Sequence, residues 1–158
     1  MLSNLIAEIE SEMETALGRI PYSSKLLFIK GFGGVSVAGI IGEVGDFKKF
    51  QTRGEIMKLA GLDLYEISSK WKGRRKISKR GRSLLRKILY DAAIQTIRNN
   101  GILHDDYTRL TERGMKRMMA LVAVSRKLRG IIYAIVRDDS EYIVNFESVK
   151  RQVIKKAA

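Results

Sequence analysis

No cysteine occurs in the chain, which excludes a disulfide framework and a thiolate metal site. A single histidine, His104, excludes a multi-histidine metal cluster, and its surroundings, NNGILHDD, read as a loop that leaves it solvated. Proline is nearly absent, with Pro21 alone, so helices can run uninterrupted. The longest apolar runs, MMALVAV and GIIYAIV, fall far below the ~20 residues that span a bilayer. A basic leader followed by an apolar stretch is missing from the N-terminus, so a cytoplasmic protein with no membrane partner is expected. Acid is scarce: 17 Asp and Glu stand against 30 Lys and Arg, for a net charge of +13. With 45% hydrophobic residues in 158, the chain can still bury a globular core.

The positive charge is concentrated. Residues 70–87, KWKGRRKISKRGRSLLRK, contain Lys70, Lys72, Arg74, Arg75, Lys76, Lys79, Arg80, Arg82, Arg86 and Lys87, and no acid. Such a field selects a polyanion, and nucleic acid is the expected partner. Gly73 and Gly81 make the run loop-like. Arg126, Lys127 and Arg129 form a second, smaller basic cluster.

Helical periodicity dominates the remainder. Leu2, Leu5, Ile6, Ile9, Met13, Ala16 and Leu17 recur at three- and four-residue spacing among Glu8, Glu10, Glu12 and Glu14. This acidic helix, with Ser3 as cap and Gly18 and Pro21 as stop, defines a segment 1–20. It reads either as a packing helix or as the end of a coiled coil. Residues 21–158 form the helical domain. Ser23 or Ser24 can cap a short helix carrying Leu26, Leu27 and Ile29; Gly31-Phe32-Gly33 turns the chain into a second helix through Val35, Val37, Ala38, Ile40 and Ile41. The pattern is that of a helix-hairpin-helix element, in which Lys30 and the backbone at Gly31 and Gly33 would hold a phosphate through N–H groups and positive φ. A plain helical hairpin explains it as well.

Thr52 and Glu55 form a capping box for a helix closed by Gly61, and LDLYEISS alternates as a strand. A long helix follows from Arg82 to Asn99, with Arg82 and Arg86 one turn apart. A final element starts near Asp105, breaks or bends at Gly114, and carries Met118, Leu121, Val122, Leu128, Ile132 and Ile135, its methionines read as core. The tail, ESVKRQVIKKAA, reads as a frayed helix. The fold class is mainly α, with a helix-hairpin-helix-like element and a basic loop.

Seven acids could serve a metal: Glu43, Asp46, Asp63, Glu66, Asp91, Asp105 and Asp106. They follow no ligand spacing, so no metal site and no cofactor are assigned to this chain. Ser68 and Ser69 stand beside the basic run. A serine hydroxyl can attack a phosphodiester where cations meet the developing charge, although a turn or cap role fits the same residues.

Three blocks carry a resemblance: LLFIKGFGGVSVAGIIGEVGDFKKFQTRGEIMKLAGL, YEISSKWKGRRKISKRGRSLLRKILYDAA, and YTRLTERGMKRMMALVAVSRKLRGIIYAIV. In this order, from Leu26 to Tyr142, the chain resembles the C-terminal half of the bridge-RNA-guided insertion-sequence transposases of the IS-one-ten and IS-eleven-eleven groups. The resemblance implies the serine domain of a DNA recombinase, acting with DNA, a guide RNA and an N-terminal RuvC-like domain that holds Mg. That domain is not part of this sequence, so the resemblance implies inactivity alone, with homo-oligomers an option. Ser69, or Ser68 beside it, matches the family's nucleophilic serine. Ile77, Ser78, Lys79, Gly81, Leu85 and Arg86 match its Ile-Thr-Lys-x-Gly-Asn-x-x-Leu-Arg block. Lys70 stands where the family has glycine, Arg82 where it has asparagine. The alternative reading is a non-catalytic helix-hairpin-helix module for DNA or RNA.

Overall fold

A computed structural model describes residues 1–69 and 71–140, with the backbone alone for 67–69, 71–74 and Asn99. Among the described residues the chain forms seven α-helices and one two-stranded sheet. The helices are α1 (Leu2–Gly18), α2 (Ser23–Leu27), α3 (Gly34–Val44), α4 (Arg53–Leu59), α5 (Ser83–Ile97), α6 (His104–Glu112) and α7 (Arg117–Arg137). Between α4 and α5 stand the strands β1 (Leu64–Ser69) and β2 (Trp71–Ile77).

The core follows from the spacing of apolar side chains. In α5, Leu85, Leu89, Ala92 and Ala93 are buried; in α7, Ala120, Val124, Leu128 and Ile132 recur every fourth residue. These two stripes face each other, and α3 closes over α5 through Val37 and Ile40. Gly39 permits that approach, since a Cβ there would stand 2.7 Å from Cδ1 of Ile88.

Several caps differ from their expected form. Met1, not Ser3, precedes α1, and Tyr22 precedes α2 without a side-chain cap. Ser23 instead points back, its hydroxyl donating to the carbonyls of Leu17 (2.6 Å) and Ile20 (2.7 Å). That tie is what turns the chain out of α1. Thr52 does precede α4, and Glu55 accepts from the Gln51 N–H and the Thr52 hydroxyl, both at 3.1 Å. Gly114, at φ +84°, separates α6 from α7, so the last element is two helices. His104 is half-buried, with Nδ1 2.9 Å from the Ile97 carbonyl, rather than solvated. The methionines of α7 are not core: Met118 and Met119 are exposed, and Met118 meets the Tyr90 hydroxyl at 3.0 Å. They fall on the side of the helix turned away from Val124 and Leu128. The expected tail helix lies outside the described residues.

The loop leading into α4 is stitched to α7. The Tyr133 hydroxyl donates to the Phe50 carbonyl (3.0 Å), Arg137 to that of Gln51 (3.5 Å), and Arg129 to that of Arg53. In α1 only Leu17 is buried, while Leu2, Leu5, Ile6 and Ile9 remain exposed.

Leu128→Ala is expected to lower stability by about 2–5 kcal/mol, whereas Leu5→Ala stays within about 0.5 kcal/mol. Urea unfolding midpoints of the two variants check this contrast.

Candidate nucleic-acid interface

The basic run begins as a strand. β1 and β2 pair antiparallel, with Leu64 opposite Ile77, Tyr65 opposite Lys76, Glu66 opposite Arg75 and Ile67 opposite Arg74. The register then shifts, and Ser69 stands opposite Trp71. Two residues of β2, Lys72 and Gly73, therefore oppose Ser68 alone, a bulge of the kind that bends a strand and increases its twist. The expected loop is thus corrected to a hairpin arm. Its flanks are solvent-facing: Leu64, Tyr65, Glu66, Arg75 and Lys76 are all exposed.

A two-stranded arm is marginal on its own, and its base supplies what it lacks. Gly61, at φ +64°, ends α4 in a Schellman motif: its N–H donates to the Lys58 carbonyl (2.9 Å) and that of Leu62 to Met57 (3.0 Å). The returning chain then closes on the same helix end. Lys79 N–H donates to the Gly61 carbonyl (3.0 Å), Arg82 N–H to Leu59 (2.7 Å), and the Arg86 guanidinium to Ala60 (3.1 Å). Asp63 accepts from the Ser78 hydroxyl and, through its carbonyl, from the Ser78 N–H at 2.8 Å. Gly81 is needed here, because a Cβ would stand 2.6 Å from the Gly61 nitrogen.

The predicted site residues consequently divide. Ser68 and Ser69 end β1 at the hairpin tip, and Lys72 and Arg74 lie in β2; their side chains, and Lys70 entirely, lie outside the described residues. Arg75, Lys76, Lys79 and Arg80 are exposed on the arm and its return loop. Arg82 and Arg86 also tie segments together: Arg82, still exposed, donates to the Glu43 carbonyl (2.7 Å), with the Glu43 carboxylate at 3.8 Å, and Arg86 donates across the base. Sequence reading saw both as binding cations and did not see these ties.

At the α2–α3 turn, Lys30, Gly31 and Gly33 are exposed. Gly31 has φ +99°, but its backbone packs on α5, where a Cβ would meet the Gln95 carbonyl carbon at 2.9 Å. Gly33 has φ −94° and so needs no glycine for its backbone angle. The expectation of positive φ holds at Gly31 alone.

The acids have local duties. Asp46 accepts from the Lys48 N–H (2.9 Å), and Asp106 binds Arg109 (2.7 Å) and Lys127. Among the described residues no three His, Asp or Glu side chains are grouped to hold a metal ion. None of their helices is long and apolar enough to cross a membrane.

A mainly helical domain that pushes a basic hairpin out of a clamped helix end is the architecture to be classified. The model of the family described as Transposase IS116/IS110/IS902 matches residues 23–108, more than half of the chain. The chain belongs to this transposase family. No curated protein matches it.

Arg86→Met should cost about 1–3 kcal/mol, because it leaves the Ala60 carbonyl without its donor, while Arg75→Gln stays within about 0.5 kcal/mol. Denaturation of both variants separates the structural cation from the exposed one.

Proposed function

We propose that this chain is the serine-bearing, nucleic-acid-gripping part of a transposase. The observation that carries the reading is the hairpin register, which sets Ser68 and Ser69 at the end of an arm whose return strand brings Lys72, Arg74, Arg75 and Lys76 alongside. Ser69, or Ser68 next to it, is the nucleophile. Its Oγ forms a bond to a backbone phosphorus as the bond from phosphorus to a sugar oxygen breaks, and the proton lost from the hydroxyl is balanced by the one the released sugar oxygen takes up. Cations of the arm meet the charge that builds on the non-bridging oxygens. Lys70, Lys79 and Arg80 extend the same field, and the exposed Lys30 at the α2–α3 turn adds a backbone contact.

Mg would be held by a RuvC-like domain acting in concert, since the described residues here present no fitting cluster, and no step is routed through a metal. DNA and a guide RNA are the partners of this reading, in the cytoplasm. The exposed apolar stripe of α1 supports its role as the end of a coiled coil, with a homo-oligomer as one outcome. A second reading, a non-catalytic helix-hairpin-helix module, is favoured by α3, whose first turn has no side-chain cap and opens on Gly33-Gly34.

In the complete recombinase, Ser69→Ala is expected to reduce strand exchange by about 1,000-fold or more while nucleic-acid binding persists. Strand exchange retained by Ser69→Ala assigns the role to Ser68, and retention by both single variants removes the serine mechanism in favour of the binding module. Binding itself should weaken with salt, log K falling by about 0.9 per duplex phosphate contacted, with Lys76→Gln lowering that slope by up to about 1. Filter binding across a salt series reads it.

A further inference from the structure

Arg129 is the most deeply buried cation among the described residues, at 6% exposure. Its Nη1 donates to the Arg53 carbonyl, a neutral acceptor, and its Nε is buried with no hydrogen-bond partner. Arg126, three residues earlier on the same face of α7, also has a buried Nε without a partner. No carboxylate among the described residues pairs with Arg53, Arg126 or Arg129. The nearby acids are committed: Glu55 to Gln51 and Thr52, Asp106 to Arg109 and Lys127. Burial lowers the Arg129 pKa, and the charges of Arg126 and Arg53 lower it further.

A buried charge is ordinarily paired, because desolvation is otherwise uncompensated. Two guanidiniums one turn apart on α7, resting against the start of α4 at the Arg53 carbonyl with no acid paired to them, are an arrangement that an anion completes, and the planar guanidinium fork matches phosphate oxygens. Arg53 is exposed, so the cluster reaches the surface. We propose that Arg53, Arg126 and Arg129 form an anion site that takes one backbone phosphate of a nucleic-acid strand. The choice of a nucleic-acid phosphate rests on the function proposed above; the anion site itself does not. Arg53 begins α4 and the hairpin leaves its far end, so the two basic surfaces are separated by about 10 Å of helix.

The test uses the complete 158-residue chain and two probes. Melting in sodium phosphate is compared with sodium chloride at equal ionic strength for the wild type, Arg126→Gln, Arg53→Gln and, as a charge-matched control at the exposed end of α6, Arg113→Gln. Phosphate is expected to raise the wild-type and Arg113→Gln midpoints by several degrees, and the response should fall by more than half in Arg126→Gln and Arg53→Gln. Equal responses in all four chains overturn the site and leave Arg129 as a staple for the loop at Arg53. Single-stranded DNA is the second probe: Arg126→Gln should lower the slope of log K against log salt by about 0.7. An unchanged slope with a lost phosphate response overturns the nucleic-acid assignment. A chain that binds no nucleic acid, yet loses its phosphate response on Arg126→Gln, supports the site and sinks the proposed function instead.

Discussion

The closure of the chain on the C-terminal end of α4 is the constraint on which the rest depends. A helix end leaves carbonyls without intrahelical donors, and a buried end must find them elsewhere. Here the donors come first from Ala60, Gly61 and Leu62, then from the segment that returns after the hairpin: Lys79, Arg82 and Arg86. A local capping requirement is thereby met by residues some twenty positions downstream. The hairpin is what lies between the two halves of the clamp, and its position relative to the α5–α7 core follows from the clamp. Gly61 and Gly81 are the two residues that let the backbones approach, one by its positive φ and one by lacking a Cβ.

This arrangement separates two uses of positive charge that look alike in sequence. Arg82 and Arg86 each donate from one guanidinium nitrogen, to the carbonyls of Glu43 and Ala60, and so tie α3 and α4 to the start of α5, Arg82 remaining exposed as it does so. Arg75, Lys76 and Arg80 make no such tie among the described residues and stand in solvent. On α7 the pattern repeats: Arg137 donates to a carbonyl of the loop before α4, Arg129 to that of the first residue of α4, and Lys127 pairs with Asp106. The net charge of +13 is therefore an upper bound on what the surface offers a polyanion.

The helices were legible because their apolar residues follow a period of 3.6, as in the Leu85–Leu89–Ala92 and Val124–Leu128–Ile132 stripes, and because Gly61 and Gly114 punctuate them. β1 was legible from its alternation. β2 was not, because WKGRRKI has apolar residues only at its ends and so carries no alternation to read. Met118 and Met119 show the opposite case: they are apolar and adjacent to a core stripe in sequence, yet both side chains are exposed. The division of arginines into ties and exposed cations was invisible in sequence, since it depends on carbonyls of α4 brought near by the fold. The burial of Arg129 was hidden likewise: its cluster was seen, its depth was not.

The arm is tied to the body at its base, where the chain enters and leaves the hairpin. The buried residues gather in the α3–α5–α7 core, while Arg75 and Lys76 of β2 are exposed, so the described part of the arm draws its order from the clamp and the β1–β2 pairing. The same geometry fixes a distance: the five steps from Leu64 to Ser69 span about 17 Å if the strand is straight, and less where the bulge opposite Ser68 bends the pair. Under the function proposed above, the strand end that bears Ser68 and Ser69 is thus carried away from the clamp, toward whatever supplies the remaining chemistry. The backbone of that strand is placed by the clamp at Gly61 and Arg86, from which both strands of the hairpin start.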